Sequence, residues 1–238
     1  MKRIFYLPSG VLSMHRIEAY IFDLDGVVVD TAKYHYLAWK RLAAEFSYDF
    51  TEEDNEQFKG VSRMACMDIL EAMTGRCFTG EEKIKLADRK NDWYIEYIKN
   101  MQKDEVLPGF VEFIDRIRRD GGKTALASAS KNAALVLERL ELSRHFDEIV
   151  DGNDVQKSKP DPQVFILAAW RLGVAGEKCL VFEDAQAGID AAKSAGMYAV
   201  GIGKQESPLK GANIMKSGFD GLVPGQLLSE MGLSEAAV

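Results

Sequence analysis

Cysteine is scarce and long apolar runs are missing, and each absence closes off a class of protein. Cys66, Cys77 and Cys179 are an odd number without metal-site spacing, which argues against a disulfide framework and fits a reducing cytoplasm. No stretch approaches the roughly 20 apolar residues of a membrane span, so no membrane partner is expected. Six prolines and 20 glycines in 238 residues carry no fibrous or low-complexity signature. A basic excess is also lacking. Thirty basic against 37 acidic residues give a net charge of −7, which speaks against nucleic acid and anionic membrane surfaces but leaves a small anionic ligand open.

With 47% hydrophobic residues the chain buries a sizeable core, and its length suits one large α/β unit or a core with an insert. Lys2-Arg3 before Ile4-Phe5-Tyr6-Leu7 imitates a signal peptide, but Pro8-Ser9-Gly10 interrupts it and no small-residue cleavage site follows. Residues 1–15 are read as an N-terminal extension, and Met14 offers a second start site.

Apolar runs ending in small or acidic residues occur at Ile17–Asp25, Lys123–Ser128, Ile149–Asp151, Cys179–Asp184 and Tyr198–Ile202. Helical periodicity fills the intervals at Phe110–Arg119, Asn132–Leu140, Pro162–Leu172 and Ala185–Ala195. The alternation predicts an α/β fold, a doubly wound (Rossmann-like) parallel sheet with its ligand beyond the carboxyl ends of the strands. Those ends carry Asp23, Asp25, Ser128, Glu183 and Asp184. From residue 31 to about 102 the strands stop and three amphipathic stretches follow, Ala32–Glu45, Arg63–Met73 and Glu81–Asn100. The division is therefore a core of residues 16–30 with 104–238 and an inserted helical domain over residues 31–103. A short strand near Leu222-Val223 and a closing helix are expected at the end, and His145 is placed on the surface.

Asp23-Leu24-Asp25-Gly26 sets two carboxylates two residues apart before a turn-permitting glycine. One can attack phosphorus while the other handles a hydroxyl proton, although the same pattern serves plain turns and calcium loops. Glu183-Asp184 adds two more acids, which would repel the first pair unless a cation such as magnesium intervened. Asp184 also suits the N-cap of the helix that follows. Ser128-Ala129-Ser130-Lys131-Asn132 reads as a phosphate cradle or as an ordinary capped helix start. Lys159 precedes a proline that stiffens its loop; taken alone it is a surface lysine.

The ordered set Asp-x-Asp-Gly, Ser, Lys-Pro, Glu-Asp resembles the haloacid dehalogenase superfamily of phosphotransferases, over nearly the whole chain from about residue 17. The resemblance implies that Asp23 is phosphorylated and that Asp25 is the general acid/base. It implies that Ser128 and Lys159 stabilise the transferred phosphoryl, and that Asp23, the carbonyl of Asp25, Glu183 and Asp184 hold Mg2+. It makes the helical insert a cap.

Four local patterns look like the sugar-phosphate mutases of that superfamily: Asp30-Thr31-Ala32-Lys33-Tyr34-His35 with Trp39, Lys59-Gly60-Val61-Ser62-Arg63, Arg89-Lys90-Asn91-Asp92, and Ala127 to Asn132 in the core. The resemblance implies an enzyme for a small hexose phosphate, with β-glucose 1,6-bisphosphate as activating intermediate; a cytoplasmic monomer is expected. Thr31 and His35 would tie cap closure to Asp25. Trp39, Lys59, Gly60, Val61, Ser62, Arg63 and Lys90 would face the substrate from the cap, and Ser128, Ala129, Ser130, Lys131 and Asn132 from the core. A mutase must exclude water from a phosphoaspartate while offering it to a sugar hydroxyl, which is what a closing cap provides. A capped sugar-phosphate phosphatase shares every core residue, and a non-catalytic phosphosugar-binding protein is the rival from another class. Lys59, Arg63, Lys90, Lys131 and Lys159 are expected to gather at one cleft despite the acidic average.

Overall fold

The computed structural model describes residues 16–58 and 61–235; the N-terminal extension, Lys59 with Gly60, and the last three residues lie outside it. Strand β2 (Ala19–Phe22) lies inside a six-stranded parallel sheet with β3 (Lys123–Ala127), β4 (Glu148–Val150), β5 (Cys179–Glu183), β6 (Tyr198–Ile202) and β7 (Ile214–Lys216). The order is β4-β3-β2-β5-β6-β7, so the chain leaves β2 in one direction for β3 and in the other for β5. That reversal opens a crevice at the carboxyl end of β2. Asp23 is the next residue.

Residues of β2 alternate between two cores, as a strand buried on both faces must. Tyr20 and Phe22 point to the layer of α5 (Phe110–Arg119) and α9 (Pro224–Glu230), and Ala19 and Ile21 to α7 (Gln163–Leu172) and α8 (Gln186–Ser194). Phe22 is fully buried among the rings of Phe110, Phe113, Phe146, Phe182 and Phe219, with Phe182 stacked at 4.7 Å. A two-stranded parallel pair joins β1 (Arg16–Ile17) to β8 (Ser234–Glu235). Between β3 and β4 the chain forms α6 (Ala133–Arg139).

After β2 come α1 (Ala32–Ala44), α2 (Glu52–Glu56), α3 (Arg63–Thr74) and α4 (Gly80–Ile98). Thr51 with Asp54 and Thr79 with Glu82 form reciprocal capping boxes, and the Ser62 hydroxyl accepts the Ala65 N–H, which fixes where α2, α4 and α3 begin. Trp39, Leu42, Phe50, Phe58, Met67, Leu70 and Ala87 share a core of these helices, while Tyr94, Ile98 and Met101 join the core of the sheet. Among the described residues no helix is long and apolar enough to cross a membrane.

Three expectations need correction. Leu222 and Val223 form no strand; Val223 is extended because Pro224 follows it at the first turn of α9, and the edge strand is Ile214–Lys216. His145 is not on the surface. It is 6% exposed in a short turn beneath α5, with Nδ1 2.8 Å from Asp115 Oδ1. The N-cap of α8 is Ala185 rather than Asp184, and the Ala185 N–H donates to Glu183 Oε2 at 2.9 Å.

Replacing Phe22 by alanine removes the ring on which five others converge and should cost about 3–5 kcal/mol. Denaturant unfolding measures this, and a loss below about 1 kcal/mol would contradict so tight a core.

Candidate active site

The site is built where β2, β3 and β5 end side by side. The Asp23 N–H is tied to Phe182 O at 3.0 Å, which continues the ladder one residue past β2 and aims the carboxylate beyond the sheet. Lys159 is 3% exposed; its ammonium donates to Asp23, to Glu183 Oε1 at 2.7 Å and to Ala127 O at 3.2 Å. All three ammonium donors are thereby used. Burial pulls its pKa down, but the Asp23 and Glu183 carboxylates outweigh this and raise it above the usual lysine value. Asp23 is pushed up to about 8, first by burial and then, against Lys159, by the charges of Glu183 and Asp25.

Two glycines make room for these acids. A Cβ on Gly188 of α8 would stand 1.7 Å from Glu183 Oε1, and one on Gly26 would stand 2.2 Å from Asp184 Oδ2. Gly26 also has φ +75°, a backbone favourable only to glycine. Oxygens of Asp23, Glu183 and Asp184 come within 4.8 Å of one another. An all-oxygen, all-carboxylate donor set suits a hard dication such as magnesium. The Asp25 carboxylate is outside this set.

At the end of β3, Ser128 is fully buried, and its Oγ accepts the Ser130 N–H at 3.1 Å. The Ser130 Oγ accepts the Asn132 N–H at 3.2 Å. These side chain to backbone bonds curl the segment into a cradle. Asp25 is turned toward the helical insert, where the Thr31 hydroxyl donates to its carboxylate; burial raises its pKa, and the Thr31 bond opposes the rise.

Across the cleft, Lys90 is 3% exposed and boxed by aromatic faces, 4.7 Å from the Trp39 ring and 5.0 Å from that of Tyr94. Its Nζ lies 2.9 Å from His35 Nδ1. Burial lowers Lys90 to about 7, and burial with the nearby Lys90 and Arg63 charges drives His35 well below the usual histidine value. A neutral His35 that accepts from Lys90 at Nδ1 carries its proton on Nε2, which faces Asp25 Oδ1 at 3.9 Å. Tyr94 stacks on the imidazole at 4.2 Å.

One cavity of about 570 Å³ joins the two sides. Of the residues expected at the site, Asp23, Asp25, Thr31, His35, Trp39, Val61, Ser62, Arg63, Lys90, Ala129, Ser130, Lys131, Asn132 and Asp184 line it. Ser128, Lys159 and Glu183 lie beneath its wall, bonded as described. Lys59 and Gly60 lie outside the described residues. The Ser62 hydroxyl caps α3, so it sets the start of that helix beside Arg63. The sequence did not single out Gly188 or Tyr94, and Asn91 stood within the pattern Arg89–Asp92 without a role of its own; a glycine within the helical period of α8 was the available sign of the first.

The haloacid dehalogenase-like hydrolase family matches residues 17–196. The chain is 41% identical to a β-phosphoglucomutase of Bacillus subtilis over 84% of its own length and 88% of that protein. It is 33% identical to a phosphorylated carbohydrates phosphatase of Thermotoga maritima, covering 90% of this chain and 97% of the relative. A crystal structure of a β-phosphoglucomutase from Clostridium difficile superposes with a TM-score of 0.85 at 39% identity, covering 91% of this chain and 97% of that one.

Lys90 yields a stability test with a defined sign. Its folded pKa of about 7 lies below the ordinary value of 10.5. The destabilisation by Lys90 is therefore full and constant below pH 7 and shrinks as pH rises toward 10.5. Lys90→Met should raise the melting temperature most at pH 6 and progressively less at pH 8 and 9; a gain independent of pH would contradict a buried, depressed lysine.

Proposed function

The chain belongs to the haloacid dehalogenase-like hydrolase family, and on that premise we propose that it is a β-phosphoglucomutase, interconverting β-glucose 1-phosphate and glucose 6-phosphate. The observation that carries this reading is a single cavity with Asp23 at its floor, Asp25 held at the hinge by Thr31, and Arg63 and Lys90 facing them from the helical side. On this reading residues 31–103 act as a cap over a core of 16–30 and 104–238, in a cytoplasmic monomer.

Phosphorylated Asp23 gives its phosphoryl to the 6-hydroxyl of β-glucose 1-phosphate. The Asp23 O–P bond breaks, a bond from O6 to phosphorus forms, and Asp25 takes the hydroxyl proton. The β-glucose 1,6-bisphosphate so formed turns around and presents its 1-phosphate to Asp23. Asp25 then returns the proton to O1 as Asp23 is phosphorylated again and glucose 6-phosphate leaves. Lys159 and Ser128 meet the charge on the transferred group, while Arg63, Ser130, Lys131 and Asn132 hold the phosphate that is not reacting. Magnesium, held by Asp23, Glu183, Asp184 and the Asp25 carbonyl, would supply positive charge that favours ionised Asp23 and offsets the charge of the phosphoryl group.

Burial raises the pKa of Asp25, the direction that suits a carboxyl group which both takes and returns a proton. Thr31 holds that carboxylate at the hinge, and His35 with Lys90 would receive it when the cap closes, so that acid/base help is present only with sugar bound. Lys90, Trp39 and Val61 then exclude water.

Product identity tests the reading. β-Glucose 1-phosphate with magnesium and a trace of the bisphosphate should give glucose 6-phosphate with little free phosphate, and Asp23→Asn should abolish it. Stoichiometric release of phosphate would make the protein a phosphatase of the kind named for the Thermotoga relative.

A further inference from the structure

Asn91 on α4 joins the two sides of the cavity through one oxygen. Arg63 Nη2 donates to Asn91 Oδ1 at 2.7 Å, and Asn132 Nδ2 donates to the same oxygen at 2.7 Å. Arginine has donors only, so the carboxamide oxygen of Asn91 must face Arg63, and Asn132 must then present its NH2 group. Both lone pairs of the oxygen are used.

Two further contacts show that this junction is built. Asn132 is the N-cap residue of α6, a position where an asparagine side chain ordinarily accepts a backbone N–H of the first turn, yet it makes no such bond and reaches across to α4. Asp88, three residues before Asn91 on α4, lies 3.6 Å from Nη1 of Arg63. Helix α4 therefore holds the guanidinium at two of its nitrogens.

Given the sugar-phosphate reading proposed above, on which this rests, we propose that Asn91 is a positioning residue: it orders Arg63 within the cap and, with the cap docked, joins it to Asn132 of the core in the site for the non-reacting phosphate. Arg63 is long and flexible, and ordering it before the ligand arrives removes a cost that binding would otherwise carry. A neutral carboxamide does this without adding a further negative charge to that of Asp88, which already faces the guanidinium. A carboxylate at the same place would order both donors equally well and repel the ligand.

The test compares wild type with N91L, N91D, R63A and R63A/N91L, using β-glucose 1-phosphate, magnesium and a trace of β-glucose 1,6-bisphosphate. N91L should raise KM roughly tenfold while kcat falls by less than about threefold. N91D should raise KM further than N91L. In the R63A background N91L should add less than about twofold, because its effect runs through Arg63. An N91L KM equal to wild type, a loss confined to kcat, or effects of R63A and N91L that multiply would each overturn the assignment. Labelling of Asp23 by acetyl phosphate reports whether N91L folds; should it not, N91D decides alone, a higher KM supporting the role and an unchanged KM refuting it. Wild type that makes no glucose 6-phosphate sinks the mutase reading itself. The KM pattern, followed by phosphate release, still decides the role of Asn91.

Discussion

The Lys159 ammonium stands between the carboxylates of Asp23 and Glu183 at a depth where little water reaches, offsetting the burial of both acids while the charge of Glu183 works against that of Asp23. Removing one member of such a buried set typically costs about 3–5 kcal/mol, because an uncompensated charge stays behind. The surrounding architecture serves this arrangement. The reversal of chain direction at β2 opens the crevice, the phenylalanine cluster under Phe22 anchors the strand that carries Asp23, and Gly188 leaves α8 close enough to receive Glu183. The cleft lining is itself acidic, with Asp23, Asp25, Asp30, Asp88 and Asp184 against Arg63, Lys90 and Lys131, so an anionic substrate would rely on a bound cation as well as on those three bases.

The second organising contact links the loop after β2 to the helical insert. Asp25 is held by Thr31 and faces His35 across 3.9 Å, and His35 is in turn bound to Lys90 and stacked on Tyr94. These residues lie on β2, α1 and α4 or just beside them, so any movement of the helical insert would change the surroundings of Asp25. On the proposed reading, that coupling would separate a phosphotransferase that waits for sugar from one that lets water in.

Strand ends carrying Asp23, Ser128 and Glu183 were legible because parallel strands buried on both faces leave continuous apolar runs, and the polar residue that breaks each run falls at the ligand edge. Ordered motifs carried the chemistry. Failures came where local signal and tertiary context part. Extended geometry before Pro224 imitates a strand at Leu222-Val223 without a partner for it, and nothing local distinguishes His145, bonded to Asp115 under α5, from a surface histidine. Asn91 shows the same limit. Its neighbour Lys90 was marked, but the bond to Asn132 spans 41 residues and exists only once the insert is docked.

A covalent bond at Asp23 is the central chemical claim, and acid-quench mass spectrometry of the peptide spanning Asp23-Leu24-Asp25 reads it directly. Incubation with β-glucose 1,6-bisphosphate and magnesium should place one phosphoryl group on Asp23, and a chase with β-glucose 1-phosphate should remove it as glucose 6-phosphate builds up through the bisphosphate. No label, a label elsewhere, or a label that decays to free phosphate at the same rate with and without the sugar phosphate would contradict the account.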